Sequence, residues 1–223
     1  MTTINFNYID TVMIDMDGTM LDKYFDDYFW EYLVPERYAK INNVSISYAK
    51  EHLLNMYRKQ EGTLNWTDID FWSSQLNLDI PALKAQIEHL IEMHPNVEEF
   101  LILIKKRKKK LYLVTNAHYK VLELKLKKTK IGHYFDRCIT SFEIGYPKEN
   151  PNFWTCLEQK IIFDKDKTVF IDDTCDVLVT ARDYGIKNIV LKKKASSIKE
   201  DKPCPDFLAI KDFNELIAKL SDL

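Results

Sequence analysis

Short apolar runs that end in polar or acidic residues recur along this chain and constrain its fold more than any other feature. The first, Thr11 to Asp15, has the β-branched, apolar character of a buried strand, and Asp17 and Gly18 break it. Each later run follows a stretch with helical periodicity: Leu111 to Thr115, Arg137 to Ser141, Thr168 to Asp172 and Asn188 to Leu191. This alternation predicts an α/β fold, with a Rossmann-like parallel sheet covered by helices on both faces.

Three of the intervening helices have recognisable ends. Asn96 with Glu99 three residues later is typical of a capping box, and Asn150 before a proline is typical of a helix start. Gly185 stands where a helix that begins near Thr174 is expected to stop. The helical crossovers of the predicted sheet are therefore well bounded.

The stretch 22–94 contains no convincing strand pattern. Four helical segments follow one another there: Asp26 to Lys40, Ser45 to Glu61, Thr67 to Gln75 and Pro81 to Glu92. We expect an inserted α-helical cap domain at 22–94, with 1–21 and 95–223 forming the α/β core domain. Because the insertion leaves at the carboxyl end of the first strand, where open α/β sheets bind ligands, the cap is placed to cover that crevice.

The composition of the 223 residues is that of an ordinary soluble globular protein, with 46% hydrophobic residues, 30% charged residues and a formal net charge of -2. The N-terminus has no basic segment before a long apolar run, and no stretch reaches the roughly 20 apolar residues that span a bilayer. We therefore expect a cytoplasmic protein with no membrane partner.

The basic run from Lys105 to Lys110 resembles a nucleic-acid-binding patch, but it lies in the last turn of a predicted helix, where cations complement the dipole. We therefore expect no nucleic-acid partner.

The cysteines are widely spaced and form no Cys-x-x-Cys pair, which argues against a zinc knuckle or a thioredoxin-like motif. Reduced thiols in a cytosolic setting are expected for all four: Cys138, Cys156, Cys175 and Cys204.

Two carboxylates follow the first predicted strand. Asp15 and Asp17 are two residues apart, so both project toward one side of the strand end, and Gly18 lets the backbone turn closely around a ligand. The pattern Asp-x-Asp-Gly also opens calcium loops of the EF-hand type. A buried strand before the motif disfavours that alternative, because an EF-hand loop follows a helix and needs further acidic ligands.

A second acidic cluster lies where another apolar strand ends and a helix begins. Asp172 and Asp173 close the run that starts at Thr168, and taken alone they are also consistent with simple helix capping. Two strand ends of one parallel sheet bring four carboxylates together, and their mutual repulsion calls for a hard divalent cation. Because all of these ligand atoms are oxygens, Mg²⁺ is favoured over zinc. The expected metal ligands are the four carboxylates of Asp15, Asp17, Asp172 and Asp173.

Further strand-end residues complete a candidate phosphate site. Thr115 and Asn116 end the second predicted strand in a hydroxyl and an amide, and Lys148 lies in a turn before a helix. Each signal is weak alone, since Thr-Asn pairs often cap helices and most lysines are solvated. Their order along the chain and their strand-end positions make them candidate substrate-binding residues.

These residues resemble the haloacid dehalogenase (HAD) superfamily of phosphatases, whose four motifs occur here in order. The motifs are Asp15-Met-Asp17-Gly18-Thr19, Thr115, Lys148 and Asp172-Asp173, and they span most of the chain. A narrower resemblance is to bacterial GMP/IMP 5'-nucleotidases of that superfamily. It rests on five stretches: Tyr28 to Pro35, Thr63 to Trp66, Leu113 to His118, Phe142 to Glu149 and Phe170 to Asp173.

The resemblance implies a mechanism. Asp15 is the expected nucleophile that forms an aspartyl-phosphate, and Asp17 the expected acid toward the leaving oxygen and base toward water. Mg²⁺ is expected to be held by Asp15, the Asp17 backbone carbonyl and Asp173, with Asp172 nearby. The expected phosphoryl ligands are Thr115, Lys148 and the backbone of Gly18 and Thr19.

The expected substrate is a small phosphate monoester, a purine nucleoside monophosphate such as GMP or IMP, and the enzyme is a monomer or a homodimer. A sugar-phosphate or phosphoglycolate phosphatase, a phosphomutase and a non-enzymatic phosphate-binding scaffold stay open as alternatives. Carbon–halogen hydrolysis is disfavoured, because Asp17 has no place in that chemistry.

Several other residues are not expected to be catalytic. Many relatives have proline directly after the motif lysine, whereas here Glu149 follows it and could draw the ammonium group away. His118 is either a substrate-side residue or a surface or core histidine. Aromatic residues of the predicted cap fit its core better than base stacking: Tyr28, Phe29, Trp30, Trp66 and Trp72.

Overall fold

A six-stranded parallel sheet in the order β3-β2-β1-β4-β5-β6 forms the centre of the molecule. The structure is a computed structural model, which describes residues 4–201, 203–204 and 207–221. The strands are β1 (Thr11–Ile14), β2 (Lys110–Thr115), β3 (Arg137–Thr140), β4 (Thr168–Asp172), β5 (Asn188–Lys192) and β6 (Leu208–Ile210). The predicted Rossmann-like parallel sheet is confirmed, and its five predicted strands are present. The short edge strand β6 was not predicted.

Strand β1 is central and fully buried, which explains its continuous apolar character. Ile14 lies opposite Leu113 of β2 and Ile171 of β4. One residue further along the strands, Asp15 and Asp172 therefore stand side by side at the carboxyl edge of the sheet. The parallel register thus brings carboxylates from distant parts of the chain together.

Helices cover both faces of the sheet, as predicted. On one face, alternate strand residues such as Val12 pack with side chains of α6 (Val97–Lys106), α7 (Tyr119–Thr129) and α11 (Asn214–Ser221). On the other face, Met13 and its neighbours pack against α9 (Pro151–Lys160) and α10 (Cys175–Tyr184). The remaining core elements are α8 (Ser141–Ile144) and a 3-10 turn at Ile131–Tyr134.

The helix ends agree with the sequence in two of three cases. Asn150 caps α9, since its side chain accepts a hydrogen bond from Asn152 N–H, and Gly185 ends α10 in the left-handed region. The prediction of a capping box at Asn96 is wrong. Asn96 has a left-handed backbone, and its side-chain amide donates to Asp212 Oδ1 at 2.8 Å instead of capping the helix.

Helices fill the stretch 22–94, which lies between β1 and β2. They are α1 (Tyr24–Tyr28), α2 (Val34–Asn42), α3 (Ile46–Arg58), α4 (Ile69–Leu76) and α5 (Ile80–Gln86), with 3-10 turns at Leu64–Trp66 and Glu88–Leu90. Residues 22–94 are all described, and no strand occurs among them. α1 continues into α2 through a π-helical stretch, Phe29–Leu33. Pro35 follows this stretch and lacks the N–H that a regular turn needs, which accounts for the irregularity.

The basic run at 105–110 serves the fold. Lys105 forms an ion pair with Asp136 at 2.8 Å, and Lys109 donates to the carbonyls of Phe6 and Ile9 at 2.6 and 2.5 Å. These lysines close the amino-terminal end of the sheet. This agrees with the structural interpretation of the run.

Cys175 and Cys204 form a disulfide, which corrects the expectation of four reduced thiols. The bond ties the first residue of α10 to the segment before β6. Sequence spacing could not reveal this pair, because only the fold brings the two residues together. Cys138 and Cys156 are free and half-buried. Every helix in the part of the chain that the structure describes is too short or too polar to span a bilayer.

Candidate active site

Asp15 continues β1 by one residue at the carboxyl edge of the sheet. Its N–H donates to Ile171 O at 2.9 Å, and the chain then turns so that the N–H groups of Met20 and Leu21 both reach Met16 O. Gly18 lies in the turn with a φ of 85°. This compact loop presents Asp15 and Asp17 at the point predicted from sequence.

Three carboxylates converge at this edge. Asp15, Asp172 and Asp173 each offer an oxygen, and these oxygens lie within 4.8 Å of one another. Asp15 and Asp172 are almost fully buried. Burial raises the pKa of Asp15 and raises that of Asp172 well above its ordinary value, and the neighbouring carboxylates act in the same direction. A hard divalent cation among these oxygens would relieve this cost, so the donor set fits such an ion.

Lys148 supplies a positive charge inside the carboxylate cluster. Its Nζ donates to Asp15 Oδ1 at 2.5 Å, Asp172 Oδ2 at 2.6 Å and Val114 O at 3.2 Å. Burial alone would lower the pKa of this lysine, but the two carboxylates raise it above its ordinary value, so the ammonium form is retained. Glu149 does not draw the ammonium away, since its Oε2 accepts from Asn116 Nδ2 at 2.9 Å.

Thr115 and Asn116 lie at the end of β2, beside Asp15. The Thr115 hydroxyl is buried and accepts a hydrogen bond from Ala117 N–H at 3.0 Å, so its own hydrogen is oriented elsewhere. Asn116 uses its amide nitrogen for Glu149 and its Oδ1 for the Lys148 N–H, at 2.9 Å each. Asn116 thus holds the loop that carries Lys148.

Gly18 and Thr19 both lie against the Asp173 carboxylate. The Gly18 N–H donates to Leu21 O at 2.7 Å, and the missing side chain leaves room for Asp173. The Thr19 hydroxyl is 3.5 Å from Asp173 Oδ1, and Lys23 Nζ is 3.5 Å from Asp173 Oδ2. Asp173 is therefore bordered by the first loop on one side and by a lysine on the other.

The Asp17 side chain has a partner that the sequence analysis missed. Its Oδ1 accepts from Lys125 Nζ at 2.6 Å, and the same ammonium donates to Asp26 Oδ2 at 2.5 Å. Lys84 donates to Asp26 Oδ1 at 2.8 Å. A signal was present in α7, where Lys125 follows Val121 and Leu122 at helical spacing and so falls on the buried face.

His118 is the residue before α7, and its ring lies beside the start of α4. Its Nδ1 accepts from Lys120 N–H at 3.4 Å, and its Nε2 is 3.7 Å from Asp68 Oδ1 and 3.8 Å from Asp70 Oδ2. Lys120 Nζ already binds both Asp70 oxygens, at 2.7 and 2.8 Å, and Asp68 caps α4 through Phe71 N–H. Ion pairing with Lys120 therefore explains the position of Asp70, and helix capping explains that of Asp68.

The aromatic residues between β1 and β2 form a packed core. Phe29 and Trp72 are buried, and Trp30 makes edge contacts with both. Tyr28 stacks on Tyr32 instead. Trp66, by contrast, is 42% exposed, so of this set it is the one most accessible to a ligand.

Comparisons with known proteins define the family. Residues 9–185 match the sequence model of haloacid dehalogenase-like hydrolases. The chain therefore belongs to this family, and the expected HAD-superfamily phosphatase is confirmed.

The chain is similar to a curated nucleotidase in sequence and to solved HAD structures in fold. The chain is 34% identical over 212 residues to the GMP/IMP nucleotidase YrfG of Escherichia coli, covering 95% of this chain and 96% of YrfG. The fold is similar to a HAD phosphatase from Thermococcus onnurineus, with a TM-score of 0.80 and 22% identity, over 95% of this chain and 98% of the other. A HAD-superfamily hydrolase from Geobacter sulfurreducens has a TM-score of 0.65 and 17% identity, over 96% and 97%.

Proposed function

We propose that this enzyme is a magnesium-dependent 5'-nucleotidase that releases phosphate from purine nucleoside monophosphates such as GMP and IMP. The convergence of Asp15, Asp172 and Asp173 around Lys148 carries the proposal of phosphate-ester chemistry. The similarity to a GMP/IMP nucleotidase over nearly the full length of both chains supports the substrate class. In this proposal residues 22–94 form the cap domain, and 1–21 with 95–223 the core domain.

The nucleophile is Asp15. One of its oxygens attacks phosphorus and forms an aspartyl-phosphate, while the bond from phosphorus to the nucleoside 5'-oxygen breaks. Asp17 gives its proton to that leaving oxygen. Asp17 then takes a proton from a water molecule, whose oxygen attacks the same phosphorus and releases Asp15 and inorganic phosphate.

Mg²⁺ would be held by Asp15, Asp173 and the Asp17 carbonyl, with Asp172 beside it. A bound divalent cation supplies positive charge that lets the Asp15 carboxylate and the phosphate dianion approach each other. The raised pKa values of the buried Asp15 and Asp172 carboxyl groups are consistent with a site shaped for added positive charge.

Lys148 and Thr115 bind the phosphoryl oxygens by ammonium and hydroxyl hydrogen bonds. Asn116, a candidate substrate-binding residue, also positions the Lys148 loop, because its side-chain amide bonds both Glu149 and the Lys148 N–H. Thr19 offers its backbone N–H, whereas the Gly18 N–H is used within the loop. A cytoplasmic location and a monomeric or homodimeric state remain predictions.

A panel of phosphate monoesters assayed with and without Mg²⁺ tests the proposal. GMP and IMP should be hydrolysed faster than sugar phosphates and phosphoglycolate, and EDTA should abolish turnover. A preference for sugar phosphates would overturn the nucleotidase assignment. Transfer of the phosphoryl group to a sugar instead of water would indicate a phosphomutase, and binding of phosphate esters without any turnover would indicate a scaffold.

The Asp15→Asn variant tests the nucleophile, and it should be inactive toward every ester of the panel. Asp10→Asn is a matched control, because Asp10 is an exposed carboxylate that precedes the opposite end of the same strand. Unchanged turnover by Asp15→Asn would exclude Asp15 as the nucleophile.

A further inference from the structure

Lys125 is a buried lysine that bridges two carboxylates from separate parts of the fold. It lies on α7 with 1% of its surface exposed. Its Nζ is 2.6 Å from Asp17 Oδ1 in the loop after β1 and 2.5 Å from Asp26 Oδ2 on α1. The ammonium group therefore joins the core to the first helix of the stretch 22–94.

A buried ammonium group needs partners, because an unpaired charge in a low-dielectric site is very costly. Both partners of Lys125 are carboxylates, and the ring of Phe25 lies 5.0 Å from its Nζ. Asp26 is held in turn by Lys84 at 2.8 Å. The two lysines and two aspartates form a charge-balanced group, in which Asp26 anchors Lys125 from one side and Asp17 lies on the other.

We infer that Lys125 is a positioning residue that fixes the Asp17 carboxyl group for proton transfer and links it to α1 through Asp26. This inference rests on the proposed acid–base role of Asp17. A general acid must come within about 2.6–3.2 Å of the oxygen that it protonates. A short hydrogen bond from a buried, doubly anchored ammonium restricts the Asp17 side chain to one orientation.

The dependence of kcat/KM on the leaving group distinguishes this positioning role from a general structural role. The nucleoside 5'-alkoxide of GMP is a poor leaving group and needs a proton, whereas the nitrophenolate of p-nitrophenyl phosphate leaves as a stable anion. The constant kcat/KM reports the steps up to release of the leaving group. We therefore compare kcat/KM for GMP and for p-nitrophenyl phosphate in each variant.

Lys125→Met should lower kcat/KM for GMP about 10–100-fold more than for p-nitrophenyl phosphate, because small displacements of a catalytic group cost rate of this order. Asp17→Asn provides the reference pattern and should show the same preference more strongly. Lys84→Met is the control: it removes another buried lysine from Asp26 but keeps the hydrogen bond from Lys125 to Asp17, so its loss should be much less selective for GMP than that of Lys125→Met.

The double variant Lys125→Met with Asp26→Asn keeps the charges balanced and replaces the single variant if that one does not fold. Equal losses for both substrates in the variants that lack Lys125, with Asp17→Asn still selective, would overturn the inference and leave the proposed function intact. Equal losses in Asp17→Asn would instead refute its acid role. If wild-type enzyme does not turn over GMP, the substrate proposal fails, and the comparison uses the fastest alkyl phosphate of the panel.

Discussion

Replacing Gly18 with alanine should weaken metal binding as well as stability. An alanine Cβ at this position would lie 2.5 Å from Asp173 Oδ2 and 2.7 Å from its Cγ. Ordinary contacts are about 3.5 Å, so the carboxylate would have to retreat by about 1 Å. Asp173 is a proposed metal ligand, and the displacement therefore acts directly on the ion.

Two magnitudes follow from this geometry. The φ of 85° lies in the left-handed region, where a residue with a Cβ costs roughly 1–2 kcal/mol. Alterations around a metal ligand typically cost about 10–100-fold in metal affinity. Gly18→Ala should thus lose about 1–2 kcal/mol of unfolding free energy from the backbone alone, and at least tenfold in Mg²⁺ affinity.

Calorimetric titration with Mg²⁺ measures the affinity, and urea denaturation without the metal measures the stability. Gly62→Ala is the matched control, because Gly62 has a φ of 76° and nothing lies within 4 Å of its added Cβ. It should show the backbone cost but bind Mg²⁺ like the wild type. Wild-type Mg²⁺ affinity in Gly18→Ala would refute the idea that close approach of Asp173 requires a glycine.

Three further changes test other parts of the structure. Lys148→Met leaves two buried carboxylates without their ammonium partner, so urea denaturation of the metal-free protein should show a loss of about 3–5 kcal/mol, and a wild-type midpoint would contradict this. Burial lowers the pKa of His118 below 6.5, so its contribution to stability is complete above pH 6.5 and declines as the pH falls and the unfolded chain takes up the proton. His118→Gln should therefore flatten the fall of Tm between about pH 7 and pH 5, and an unchanged slope would exclude this linkage. Cys204→Ser should cost about 3–4 kcal/mol of unfolding free energy under oxidising conditions, since its disulfide spans 29 residues, and nothing in excess dithiothreitol; equal losses in both conditions would argue against the bond.

The sheet and the strand-end carboxylates could be predicted because they depend on local pattern and one general rule. Each buried parallel strand is recognisable in the sequence as an apolar run, and the carboxyl ends of parallel strands lie at the same edge of a sheet. Asp15 and Asp172 were therefore predicted together although 157 positions separate their numbers. Lys148 was found by its motif, but its distances to both carboxylates required the coordinates.

Features that depend on distant partners could not be predicted. Asn96 has the sequence of a cap, but its amide bonds Asp212, which is 116 residues away in the chain. The helical spacing places Lys125 on the buried face of its helix, but its partners Asp17 and Asp26 lie 108 and 99 residues away in the chain, and only the fold brings them together. Strand β6 has three residues at the edge of the sheet, which is too short for a period to be recognised.

Lys148 also affects the folding of the protein in the absence of a bound metal ion. Because this ammonium serves as an internal counter-ion for two of the three clustered carboxylates, the polypeptide carries part of the neutralisation that the site requires. Many small metal-binding domains fold only when the metal binds. Under the proposed Mg²⁺ dependence, we therefore expect the ion-free protein to be folded already and to gain activity when the ion binds.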